Sequence, residues 1–122
     1  MTPKEFQDYL IRDRQRCVHC GLSDMTLVPQ HRKNRGMGGS KKRHVPSNIV
    51  VMCSKFNWLI EADANWAIIA KQRGWKLESW QDPLDTPVYY AHYGKYYLLD
   101  NEFHRIEVRE ETDADNQRGT QL

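Results

Sequence analysis

The chain lacks any run of 18 apolar residues, which excludes a membrane-crossing helix on sequence grounds. Its opening, Met1-Thr2-Pro3-Lys4-Glu5, contains no apolar secretion core, so a cytoplasmic location is expected. Cysteine is scarce. The three present, Cys17, Cys20 and Cys53, are odd in number, and this argues against a disulfide framework. Strong net charge is missing too, at +2, and no internal repeat is visible. A length of 122 residues leaves room for one domain with a modest core.

What is present is bulk and asymmetry. Four Trp, six Tyr and three Phe give enough large apolar groups to build a core. Residues 1–60 carry eleven Lys/Arg against four Asp/Glu, a balance of +7, and residues 61–122 carry seven against twelve, a balance of −5. The basic half is the part suited to a phosphate backbone. Six of its cations, Arg32, Lys33, Arg35, Lys41, Lys42 and Arg43, fall in one Gly-rich stretch without an acid.

Local signals divide the chain into four segments. Residues 1–16 read as a helix, with Thr2 as cap, Pro3 in its first turn and Glu5 completing a capping box. Residues 17–73 hold a knuckle around Cys17-Val18-His19-Cys20, a strand over 25–30, the basic loop, a β-branched strand over 48–52 and a helix from Ser54 to Arg73. Phe56, Leu59, Ile60, Ala64, Ala67 and Ile68 are the expected buried face of that helix; Asp63 can cap a break in it, and Gly74 stops it. Residues 74–108 read as an extension with three short strands, 87–91, 95–99 and 103–108. Residues 109–122 are polar and acidic and are expected to be disordered.

The order of these features is informative. Gln30-His31-Arg32-Lys33-Asn34-Arg35-Gly36-Met37-Gly38-Gly39, followed by Pro46-Ser47-Asn48-Ile49-Val50-Val51-Met52-Cys53, resembles the HNH endonuclease family. It is most similar to the small HNH proteins of actinobacterial bacteriophages. The resemblance covers about residues 17–61, and Gly74-Trp75 with the 88–99 hairpin resembles the extension of those phage proteins. It implies an α+β fold: a ββα-metal core flanked by an N-terminal helix and a C-terminal antiparallel meander. It also implies a metal-dependent DNA endonuclease that leaves 5′-phosphate and 3′-hydroxyl ends. The partner would be DNA, with phage terminase as a further partner, in the host cytoplasm if the chain is phage-encoded.

Carried onto this sequence, the family pattern makes His31 the general base and Asn48 the residue that holds the loop bearing it. The helix position that is His in many members is Asn57, an HNN-like pattern. Asn57 and Glu61 are four residues apart and share one helix face. With Gln30 they would offer three oxygens, a hard ligand set suited to Mg²⁺ or Mn²⁺ rather than Zn²⁺. The basic loop would track phosphates. A structural Zn²⁺ needs four ligands, and the position completing a second Cys-x-x-Cys is Phe56. Two readings stand: zinc is lost and Phe56 packs beside the thiols, which is preferred, or Cys17, Cys20 and Cys53 take His19 or His44 as a fourth ligand. The alternative to an enzyme is a decayed HNH scaffold serving as a DNA-binding or adaptor module.

Overall fold

The structure is a computed structural model describing residues 1–23, 26–33 and 44–109. Among these it is a mixed α+β fold of three helices and two small antiparallel sheets. Helix α1 spans Pro3–Arg12. Strands β1, Leu27–His31, and β2, Ile49–Cys53, pair antiparallel, with Gln30 opposite Val50 and His31 opposite Ile49. Helices α2, Ser54–Ala62, and α3, Ala64–Gln72, follow β2 directly. Strands β3, Val88–Tyr90, β4, Lys95–Leu99, and β5, Arg105–Glu107, form the meander. No helix among the described residues is long and apolar enough to cross a membrane.

Helix α1 starts as its capping box dictates. Thr2 Oγ1 accepts from the Glu5 amide at 3.1 Å, and Glu5 Oε1 accepts from the Thr2 amide at 2.8 Å. It ends earlier than the expected Arg16, because Arg12 and Asp13 turn inward as a buried pair while Arg14 and Gln15 take positive φ. Tyr9 packs its buried face on Ile49 and Val51 of β2. Phe103 meets the Tyr9 ring edge-on at 4.9 Å from a turn with φ of 63°, not from the strand expected there.

The long helix is two helices. Asp63 has extended backbone and accepts from the Asn65 and Trp66 amides at 2.9 and 3.0 Å, which caps α3. The break rotates the second helix. Ile68, placed in the core by one continuous periodicity, is exposed, and Trp66, Ile69 and Ala70 face inward instead. Segments 17–73 and 74–108 share one core, in which Cys17, Val50, Met52 and Ile60 pack with Trp75, Val88, Tyr90 and Leu99.

Gly74 ends α3 with φ of +78°, and a Cβ there would run into the Pro87 carbonyl oxygen. Gly74→Ala is therefore expected to cost roughly 1–3 kcal/mol, read as a lower thermal midpoint. A midpoint within error of wild type would show that the 83–88 segment yields freely.

Candidate functional site

The chain order of β1, β2 and α2 places one end of the small sheet beside the helix. Gln30 and His31 close β1, and Asn57 and Glu61 project from α2. Gln30 is buried; its Oε1 accepts from Asn57 Nδ2 at 2.5 Å, and its Nε2 donates to the His31 carbonyl at 2.9 Å. Gln30, His31 and Glu61 line one cleft of about 310 Å³, together with Pro29, Arg32, Lys76 and Leu77. Glu61 Oε2 lies 2.8 Å from Lys76 Nζ. Of the three residues named as metal ligands, Gln30 and Glu61 line this cleft, while Asn57 reaches it only through its bond to Gln30. Amide and carboxylate oxygens suit a hard divalent cation in kind. One carboxylate makes for weak binding until substrate phosphate adds its own oxygens.

Asn48 sits behind this cleft, fully buried at the end of the 3₁₀ turn Pro46–Asn48. Its Oδ1 accepts from the Lys33 amide at 2.8 Å, and its Nδ2 donates to the Lys33 carbonyl at 3.3 Å. Its own carbonyl accepts from the Arg32 amide at 2.7 Å. The chain immediately after His31 is therefore clamped at both residues, the loop-holding geometry expected for Asn48. The His44 ring lies 5.7 Å from that of His31.

Arg32 departs from expectation. It is 1 % exposed, and its guanidinium donates to the carbonyls of Gly74 at 2.8 Å, Ser47 at 2.8 Å, Pro83 at 3.1 Å and Thr86 at 2.5 Å. All four acceptors are backbone carbonyls. Burial pushes its pKa down to about 9, so it remains a cation at neutral pH. A guanidinium spent in this way cannot track a phosphate, so Arg32 leaves the DNA-contact set. Lys33 is only 9 % exposed. Arg35, Lys41, Lys42 and Arg43 lie outside the described residues, as does the expected acidic tail beyond Arg109.

At the other end of the sheet the three thiols come together, with all Sγ atoms within 4.8 Å of one another, close enough to bind a metal ion. Cys17 Sγ accepts from the amides of His19 at 3.4 Å, Cys20 at 3.5 Å and Cys53 at 3.2 Å. Phe56 packs against this part of the core, 3.8 Å from the His19 ring. His19 is further enclosed by Trp66 and Trp75, each at 5.1 Å, and burial lowers its pKa. His44 is placed beside His31, and His31 pairs with Ile49 at the far end of β2 from Cys53, so His44 is not the fourth thiol-site ligand.

Pro29, Lys76 and Leu77 line the cleft but were not singled out from sequence; Lys76, the charged one, lies fifteen positions beyond Glu61 in no motif, just after the Gly74 turn. Compared with known proteins, the chain matches no family model, no curated protein and no solved structure.

Proposed function

We propose that the chain is an HNH-type, metal-dependent DNA endonuclease whose β1, β2 and α2 form a ββα-metal core. The observation that carries the reading is the convergence of Gln30, His31 and Glu61 on one cleft, with Asn57 bonded to Gln30. Asn48 supports it by gripping the Lys33 backbone on both sides. His31 takes a proton from the attacking water, a task suited to imidazole because its protonation changes near neutral pH. Gln30, Asn57 and Glu61 would hold a divalent cation, Mg²⁺ or Mn²⁺, which supplies charge stabilisation at the scissile phosphate and the leaving oxygen. Arg32 positions His31 by fixing the backbone beside it to four carbonyls of three segments. One such site cuts one strand, so nicking is the expected product.

Supercoiled plasmid incubated with Mg²⁺ or Mn²⁺ tests this. Wild type should convert it to the open circle, and His31→Ala should lose at least about 100-fold in rate, the usual reach of a general base. Absence of metal-dependent nicking, or equal nicking by His31→Ala, removes the proposal.

A second reading has its own observation. The Gln30–Asn57 and Glu61–Lys76 pairs satisfy these groups within the chain. That suits a decayed scaffold used as a DNA-binding or adaptor module. It predicts salt-sensitive DNA retention in gel shifts with no cleavage under any divalent metal.

A further inference from the structure

The cleft contains a cation of its own. Lys76 Nζ contacts Glu61 Oε2 at 2.8 Å, and the Lys76 side chain is 26 % exposed against 58 % for Glu61, so the lysine stem is the more enclosed of the two side chains. Its backbone is fixed on both sides: the Lys76 amide donates to Ala70 O at 3.2 Å, and the Leu77 amide donates to Arg32 O at 2.7 Å. Charge in the lining is unbalanced. Among the described lining residues Arg32 and Lys76 are cationic and Glu61 is the anion, so their fixed charge favours a phosphate over a bare divalent ion. Arg32 is committed to carbonyls, which, among the described lining residues, leaves Lys76 as the cation able to swing to a ligand.

We propose that Lys76 is a phosphate-binding residue of this cleft, and that its ion pair with Glu61 couples phosphate binding to divalent-cation binding. This rests on the nuclease reading for the identity of the two ligands. With Lys76 on Glu61, a divalent ion must displace an ammonium to reach the carboxylate. A phosphate that draws Lys76 to itself releases the carboxylate at the moment its own oxygens arrive. Linkage is reciprocal, so the cation then tightens phosphate binding by the same factor. The device would keep the metal position empty until a substrate strand lies in the cleft.

The test measures Mn²⁺ affinity of the full chain by the electron paramagnetic resonance signal of free Mn²⁺. Without DNA, Lys76→Met should bind Mn²⁺ about fivefold more tightly than wild type, because a competing partly exposed ion pair is gone. Glu61→Gln should bind it more weakly than either. In a His31→Ala background, which prevents cutting, a short DNA duplex should tighten Mn²⁺ binding by about tenfold, and adding Lys76→Met should reduce that enhancement to about threefold or less. Lys76→Gln serves the same comparisons should the Met variant not fold. Unchanged Mn²⁺ affinity in Lys76→Met, an undiminished DNA enhancement, or tight binding by Glu61→Gln overturns the proposal. Plasmid nicking read in parallel separates the two claims. Coupling without nicking keeps the role of Lys76 and removes the nuclease; nicking without coupling does the reverse. No Mn²⁺ binding with or without DNA removes both.

Discussion

Arg32→Met is expected to destabilise the fold by about 3–5 kcal/mol, at the severe end for a single substitution. The side chain is 1 % exposed and donates four hydrogen bonds to the carbonyls of Ser47, Gly74, Pro83 and Thr86. Methionine fills similar volume but leaves those acceptors without donors, and each buried unsatisfied group costs roughly 1–3 kcal/mol. Total stability of a domain is about 5–15 kcal/mol, so a third or more could go. In a chain of this length that shifts the melting midpoint by on the order of 15 °C. Arg32→Lys should recover little, because three donors on a compact ammonium cannot span four carbonyls set out for a planar fork. Thermal and urea melts measure both. A variant that melts like wild type, yet loses DNA affinity and about one unit of salt slope, would return Arg32 to the phosphate contacts.

The same residue shows where sequence reading stops. An arginine after a strand and before a Gly-rich basic loop has the surroundings of a solvent-facing phosphate contact. Its burial depends on carbonyls from residues 47, 74, 83 and 86 meeting at one point, and no window of sequence contains that. Lys76 was invisible for a related reason, since its cleft position follows from the left-handed turn at Gly74 and not from any local pattern. Features set by near neighbours were legible. The Thr2/Glu5 capping box, the Asp63 cap and the meander near 88–107 all appear close to where local chemistry puts them. Intermediate cases went wrong in an instructive way. The apolar period of 54–73 is real, but Asp63 resets its phase, so Ile68 turns outward. Of the cleft lining, Gln30, His31 and Glu61 lie where a strand end and a helix face put them, and Asn57, on the same helix face as Glu61, is bonded to Gln30.

The second large effect is expected at Asp13, which the sequence presents as an unremarked acid at a helix end. Its carboxylate accepts from Arg12 Nε at 2.9 Å, Arg12 Nη2 at 2.9 Å and Tyr90 Oη at 2.7 Å, tying α1 to β3. The Arg12 and Asp13 side chains are 1 % and 0 % exposed. Arg12 also donates to the Pro46 and Ile49 carbonyls, so it cannot swing out to water when its partner is lost. Asp13→Asn should therefore cost about 3–5 kcal/mol, most of it the penalty of leaving a guanidinium buried and uncompensated. Tyr90→Phe removes one bond to a charged acceptor and should cost about 1.5–3 kcal/mol near neutral pH. Its pH dependence identifies the group. Burial, followed by the Asp13 charge, holds the Tyr90 phenol well above its ordinary value. The native state then keeps a proton that the unfolded chain gives up near pH 10, so this stabilisation is complete below pH 10 and drains away above it. The stability gap between wild type and Tyr90→Phe should narrow above pH 10 by up to about 1.4 kcal/mol per pH unit. Urea unfolding of both proteins from pH 8 to 11 measures that gap. A constant gap across the range would mean that the phenol is not buried against Asp13, and that α1 is held to the meander by Tyr9 and Phe103 without this network.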